Sequence, residues 1–187
     1  MRYLLIGLVW LALAILAGGL GLLARLRPPL PQLMLLGITT LLLLAGRAGT
    51  GLAAWIRSLG WRPLVALHLT RFVGFGFLAS SARGVLPRAW AYPAGIGDIA
   101  VAALALLLLA RPRWVDRRPV LLLGWNVVGL VDILFVVASA ARLALTDPEA
   151  MAPLVRLPYS LLITWLVPLI IATHLWLFRV SSRPITR

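Results

Sequence analysis

Two histidines stand out among the residues of this apolar chain that could do chemistry. His68 follows Pro63 by five residues, and His174 precedes Arg179 by five residues. If each lies in a membrane-spanning helix that rises about 1.5 Å per residue, both lie about 7 to 8 Å inside the same face. Two neutral imidazoles at equal depth predict the ligands of a b-type haem or of a metal ion. The alternative is that each histidine bonds a helix-end carbonyl or water near the interface.

A second set of polar residues lies deeper along the same apolar segments. Arg71 follows His68 by three residues, so both lie on one helix face, and Arg71 is about 12 Å deep. Asp98 and Asp132 are about 18 to 20 Å from that face. We therefore expect Arg71 to pair with one or both aspartates, either as an ion pair that sets helix register or as part of a proton or solute pathway. Beside a haem, Arg71 would instead contact a propionate.

Asn126 lies almost two helical turns before Asp132 in the fifth apolar segment. Its amide is expected either to join the intramembrane network of Arg71, Asp98 and Asp132 or to bond across to a neighbouring helix. The first alternative makes it part of a conduit. The second makes it a structural contact.

The residues Gly95-Ile-Gly-Asp98 match the GxGD signature of intramembrane aspartyl proteases. In those enzymes a second aspartate shares a proton with the first and activates water, and Asp132 would be that partner here. The order differs from prepilin peptidases and presenilin-like proteases, in which the partner aspartate precedes GxGD. A protease is therefore a minor alternative.

The composition places the chain in a membrane. Of 187 residues, 62% are hydrophobic and 12% are charged, which excludes a soluble enzyme. The formal net charge is +13, carried by arginines at the ends of apolar runs, where they can reach anionic lipid headgroups. No stripe of basic and aromatic residues indicates nucleic-acid binding. Without cysteine, the chain has neither a disulfide nor a catalytic thiol.

Long apolar runs predict an all-α membrane bundle that forms a single domain over residues 1–187. A membrane-spanning helix needs about 20 mostly apolar residues. Six runs approach this length, and the shortest is the second. The predicted spans are about 3–23, 31–46, 63–82, 93–110, 119–145 and 159–178.

The arginines also predict an orientation. Between the second and third spans, residues 47–62 mix tryptophans with arginines, which favours a short interfacial helix or loop. Six spans put both termini on one side, and that side carries eleven of the 18 arginines while the other carries six. The positive-inside rule then predicts cytoplasmic termini. The residues 146–157 form the longest external connection.

The pattern of polar residues in the third to fifth spans resembles that of an uncharacterised family of small bacterial multi-pass membrane proteins. The resemblance rests on His68 and Arg71, then Phe75, Leu86-Pro87, the run Ala-Gly-Ile-Gly ending at Asp98, and Trp-Asn before an aspartate. It implies a compact helical bundle in the bacterial inner membrane. It also implies that His68, Arg71, Gly97 and Asp98 form the functional core, and it implies no activity.

Three classes of function follow from these residues. The first is a protein that binds a haem or metal between His68 and His174, with an electron-transfer or accessory role and a redox or assembly partner in the membrane. The second is a small proton-coupled transporter that uses Arg71, Asp98, Asn126 and Asp132. The third is a structural or assembly subunit of a membrane complex. The first requires both histidines, the second requires the aspartates, and the third tolerates the loss of either set.

Overall fold

A computed structural model describes residues 2–47 and 49–181 of the chain, and its regular structure there is entirely helical. This confirms the predicted all-α class. The arginines at positions 183 and 187, which contribute to the predicted orientation, lie outside the described residues. In chain order the helices are α1 (Arg2–Gly19), α2 (Leu30–Ala45), α3 (Gly51–Leu59), α4 (Trp61–Ala82), α5 (Arg88–Ala110), α6 (Pro112–Arg117), α7 (Val120–Thr146), α8 (Pro148–Met151) and α9 (Val167–Ser181).

Among the described residues, five helical segments are long and apolar enough to cross a bilayer: α1, α4, α5, α7 and the segment Leu162–Arg179. The predicted second span corresponds to α2, which has 16 residues and is shorter than the other five. Helix α5 begins five residues before the predicted start, because Pro93 is accommodated inside the helix rather than at its first turn. The interfacial segment forms α3, whose Ala53 and Ile56 are buried.

Two of the long helices depart from α-helical geometry near polar residues. Within α4, His68–Val73 adopts a 3-10 conformation, which has three residues per turn and aligns positions i and i+3. His68, Arg71 and Gly74 are therefore stacked along one line, and all three are buried. A π-helical segment, Leu162–Leu166, leads directly into α9.

The helices alternate in direction, so the bundle has two distinct ends. At the terminal end, where α1 begins and α9 ends, the ring of Tyr3 packs on Trp55, and Arg179 donates to the carbonyl oxygen of Gly46 at 3.1 Å. At the far end, the turn after α1 contacts the segment Ala152–Val155. The predicted external connection is not an open loop, because it folds into α8 and a 3-10 turn that bury Met151 and Leu154.

Helices α4 and α5 make the closest helix contact that bears on the polar residues. A Cβ on Gly95 would lie 2.8 Å from the backbone oxygen of Gly74 and 3.0 Å from the side chain of Leu78. Glycine at both positions lets the two backbones meet directly, as small residues do in packed apolar helices. This contact brings Arg71 of α4 opposite Asp98 of α5.

Candidate functional site

A buried arginine between two carboxylates forms the centre of the bundle. Arg71 has no exposed side-chain surface, and its Nε donates to Asp98 Oδ1 at 2.6 Å. Its Nη2 donates to Asp132 Oδ2, and its Nη1 donates to the carbonyl oxygen of Gly129 at 2.9 Å. The guanidinium thus joins α4, α5 and α7, and its planar fork suits simultaneous contact with two carboxylates.

The two carboxylates differ in their exposure. The Asp98 side chain is 5% exposed, whereas that of Asp132 is 19% exposed. Asp132 also lies against Gly97, where a Cβ would collide with its carboxylate. Gly97 therefore makes room for Asp132, which gives a physical role to a glycine that the family resemblance implied to be part of the functional core.

A cavity of about 310 Å³ ends at this cluster. Its walls come from α2, α7, the segment 148–155 and the helical stretch that starts at residue 162. Most of the lining is apolar. The polar side chains on it are Arg71 and Asp98 at the inner limit, Gln32 on the wall and Arg27 at the far end. The arrangement is that of an apolar ligand site with a few convergent polar groups.

The two histidines lie side by side in the terminal half of the bundle. The ring centroids of His68 and His174 are 4.2 Å apart, and both side chains are fully buried. Trp125 packs its ring against both, with centroids 5.0 Å from His68 and 5.6 Å from His174. Contact between α4 and α9 brings the two rings together.

Hydrogen bonds to neighbouring residues define which nitrogen of each ring carries its proton. Thr173 Oγ1 donates to a backbone carbonyl, Leu169 or Ile170, at 2.9 Å, so it accepts from His68 Nε2 at 3.2 Å. Asn126 Nδ2 donates to the backbone oxygen of His174 at 3.0 Å, which leaves its Oδ1 to accept from His174 Nδ1 at 2.8 Å. These bonds assign the tautomers, and each remaining nitrogen then carries a free lone pair.

The two remaining nitrogens, His68 Nδ1 and His174 Nε2, are buried and have no hydrogen-bond partner among the described residues. An unpartnered buried acceptor is unfavourable. Each of these nitrogens could therefore accept a proton donor or a cation.

A haem does not fit between these rings. Axial imidazoles bind iron from opposite faces of the porphyrin, and metal–nitrogen bonds of about 2 Å would place their ring centroids about 6 Å apart. The observed separation of 4.2 Å leaves no space for a porphyrin plane. The predicted haem, and with it the contact between Arg71 and a propionate, is not compatible with this arrangement.

A metal ion fits the donor set only in part. Neutral imidazole nitrogens suit zinc and copper, and both rings are oriented through their second nitrogen, as metal-bound histidines usually are. His68 and His174 would hold the ion. However, the described residues contain no group of three or more His, Cys, Asp and Glu side chains placed to hold a metal. The remaining ligands would have to come from water or a solute.

The GxGD aspartate does not form a carboxylate dyad with Asp132. Arg71 binds both carboxylates through separate nitrogens, whereas the protease mechanism requires two carboxyls that share a proton and hold a water. The geometry gives the protease hypothesis no support.

Several contacts of the site do not follow from the sequence patterns. Thr173 carries no signal of its bond to His68, although it precedes His174 directly. Gly129 shares a helix face with Asp132, but nothing in the spacing indicates its close contact with the His174 ring. The indole nitrogen of Trp125 donates to the carbonyl oxygen of Val101 at 3.0 Å inside the bundle. An apolar helix has few polar residues to reveal which of its faces meets a neighbouring helix. The one available signal is that Trp125 and Gly129 lie close in sequence to Asn126 and Asp132.

Comparison with known proteins gives a family but no activity. No curated protein matches the chain, and no solved structure does. One family model matches residues 28–180, a range that covers α2 to α8, most of α9 and the polar residues Arg71, Asp98, Asp132, His68 and His174. The chain therefore belongs to the family described as "Domain of unknown function (DUF8737)".

Proposed function

We propose that this protein is a proton-linked membrane carrier whose binding site is the cluster of Arg71, Asp98 and Asp132. The observation that carries this proposal is that a buried arginine at the inner end of a cavity is shared by two carboxylates, the buried Asp98, which lines the cavity, and the half-buried Asp132. With both carboxylates ionised, the cluster carries one surplus negative charge. A surplus charge in a low-dielectric interior is costly, so a proton or another cation is needed to balance it.

The location in a membrane is supported by what the helices expose. Helix α7 buries Trp125 and Asn126 on one side while Val131 and Phe135 are 61% and 55% exposed on the other. Apolar side chains also cover the outer faces of α1 and α2. An apolar surface of this extent is typical of contact with lipid, and intramembrane ionisable residues mark pathways for protons and solutes. We place the protein in the bacterial inner membrane with the terminal end in the cytoplasm.

The proposal predicts solute-dependent proton movement in proteoliposomes that contain a trapped pH-sensitive dye. Panels of small cationic, neutral and anionic solutes are added outside, and the internal pH is recorded. We expect one charge class to change the internal pH for the wild type. Asp98→Asn and Asp132→Asn should abolish the change, because neither amide exchanges a proton.

Asp116→Asn is the matched control, because Asp116 is exposed in α6 and lies outside the cluster. A response that persists in both cluster variants, or the absence of any solute-dependent response, would refute the carrier assignment.

The orientation in the membrane is tested with the variant Thr146→Cys, because Thr146 is exposed and the chain has no other cysteine. An impermeant maleimide should label it in intact cells, and labelling only after lysis would reverse the orientation.

A second candidate function, metal binding by His68 and His174, is supported by their two free lone pairs. Each ring is held by a partner on its other nitrogen, Thr173 in one case and Asn126 in the other. The Arg71 cluster is linked to this pair through Gly129, whose carbonyl accepts from Arg71 and whose backbone lies against the His174 ring. The surplus negative charge of that cluster would partly balance a bound cation.

Metal binding predicts one Zn²⁺ per chain in purified protein that has been equilibrated with zinc and washed. His174→Ala should remove the ion. Asn126→Ala should weaken binding by about 10 to 100-fold, because it frees the orientation of the ring without removing the ligand. Thermal stability of each variant is measured alongside metal content. A zinc content that is zero in the wild type, or equal in all three proteins, would exclude the site.

A further inference from the structure

We propose that the cavity that ends at Arg71 and Asp98 binds a monovalent organic cation with an apolar body, in exchange for the proton of the Asp98 and Asp132 pair. This inference rests on the proposed carrier function and names the class of its substrate. Three features support it: the charge at the inner end of the cavity, the chemistry of its walls and the groups at its far end.

The charge at the inner end selects for one positive charge. Asp98 lines the cavity and is paired with Arg71, which also binds Asp132. Without a proton the three groups sum to one negative charge, so a monovalent cation brings the cluster to neutrality and a proton does the same. A neutral solute leaves the charge unbalanced, and an anion doubles it. Coulomb interactions are strong in such an apolar setting, so these differences are large.

Proton and organic cation therefore compete for the same charge. The other ionisable groups packed nearby are His68, one turn before Arg71 in α4, and His174, whose ring contacts Gly129. Neither lines the cavity. Asp98, which does line it, is thus the group whose protonation an occupant would affect most directly, and Asp132 is coupled to it through Arg71.

The walls of the cavity suit a cation with an apolar body. Phe77 and Trp90 contribute aromatic rings to the lining, and aromatic faces attract cations. The indole nitrogen of Trp90 is already bonded to the carbonyl oxygen of Val136 at 3.2 Å. Gln32 Oε1 is buried on the same lining and has no hydrogen-bond partner among the described residues. A ligand N–H group would satisfy that acceptor.

The far end of the cavity repeats the same balance of charge. Arg27 lies there, and the adjoining surface recess contains Arg27 together with Asp147 and Glu149. Two carboxylates again outnumber one arginine. The residues that line the recess therefore sum to one negative charge, which favours a cation over an anion within the recess itself. The volume of about 310 Å³ is at the small end of the range for ligand sites, which suits a single-ring or two-ring molecule.

Three isosteric probes test the inference on the purified full-length protein in detergent. Benzamidinium carries one positive charge and N–H donors, benzamide is neutral, and benzoate is negative. Binding is measured by titration calorimetry, and proton release is measured with a pH dye in weak buffer. We expect saturable binding of benzamidinium with release of up to one proton per molecule bound. Benzamide and benzoate should bind at least roughly tenfold more weakly.

Two variants locate the binding in the cavity. Asp98→Asn should remove both benzamidinium binding and proton release, and Gln32→Met should weaken binding while it leaves proton release per bound molecule unchanged. Asp116→Asn should behave as the wild type. The Gln32 variant keeps the test informative if the Asp98 variant does not fold, because Gln32 lies on the cavity wall away from the ion cluster.

A wrong substrate class and a wrong carrier function would give different experimental results. Equal affinity for benzamidinium and benzamide would overturn the cation assignment and leave an apolar pocket. If benzamidinium does not bind while another charge class moves protons in proteoliposomes, the substrate class is wrong and the carrier function stands. If benzamidinium binds without proton release at any pH, the exchange is wrong and the proton-linked function fails with it.

Discussion

Arg71→Met is expected to destabilise the protein more than any other single substitution in the polar cluster. The change leaves Asp98 and Asp132 without their shared cation, and it removes the donor to the Gly129 carbonyl. Removal of one partner from a buried ion pair costs about 3 to 5 kcal/mol, because the remaining charge is uncompensated. The midpoint of thermal unfolding in detergent, followed by circular dichroism, measures the effect.

Three further variants separate charge from packing. Arg142→Met is the matched control, since Arg142 is exposed on α7, and it should unfold close to the wild-type temperature. The triple variant Arg71→Met, Asp98→Asn, Asp132→Asn removes all three charges and should recover most of the lost stability without any transport. An Arg71→Met protein as stable as the Arg142→Met control would show that the cluster does not depend on its arginine. Arg71→Lys should be intermediate, because a lysine lacks the fork that binds both carboxylates.

Gly95→Ala is expected to have the second largest effect, through helix packing rather than charge. The added methyl group would lie 2.8 Å from the Gly74 carbonyl oxygen, a backbone atom that moves only if the whole helix moves. Overpacking of this kind costs about 1 to 3 kcal/mol. Separation of α4 from α5 would also lengthen the 2.6 Å bond between Arg71 and Asp98, so transport should fall together with stability. Thermal unfolding and the proteoliposome assay measure the two effects on the same preparation.

Gly76→Ala is the control for this prediction. Gly76 lies in the same helix as Gly74, but a Cβ there would meet no atom within 4 Å. An unobstructed glycine-to-alanine change in a helix is neutral or stabilises by about 0.4 to 1 kcal/mol, because it restricts the unfolded chain. If Gly95→Ala and Gly76→Ala have the same stability, the direct contact between the two backbones is not what holds α4 against α5.

The variants of Arg71 also distinguish a carrier from a purely structural ion cluster. A cluster that serves only to fix helix register would make stability and activity change together in every variant. The triple variant breaks this link, because its stability recovers while its exchangeable protons are gone. A protein that is stable and inactive in this form supports a functional role for the charges, and one that is stable and fully active leaves them with a purely structural role.

The all-helical class, the positions of the long apolar segments and the relation of His68 to Arg71 follow from the sequence alone. Each depends on local properties of the chain. These are the length and composition of the apolar runs and the i, i+3 spacing that places His68 and Arg71 on one helix face. The predicted fourth span, about 93–110, begins five residues inside α5, because this helix continues through Pro93.

Which helices touch, and what their polar groups bind, depends on packing between distant parts of the chain. Helices in this bundle are apolar toward the core and toward the outside, so hydrophobic periodicity does not reveal their rotation. The contact of Gly74 with Gly95 sets that rotation for α4 and α5, and it places Arg71 between Asp98 and Asp132. The distance of 4.2 Å between the two imidazoles, which leaves no space for a porphyrin between them, likewise results from the packing of α4 against α9. That contact joins residues more than 100 positions apart, and local sequence patterns carry no information about it.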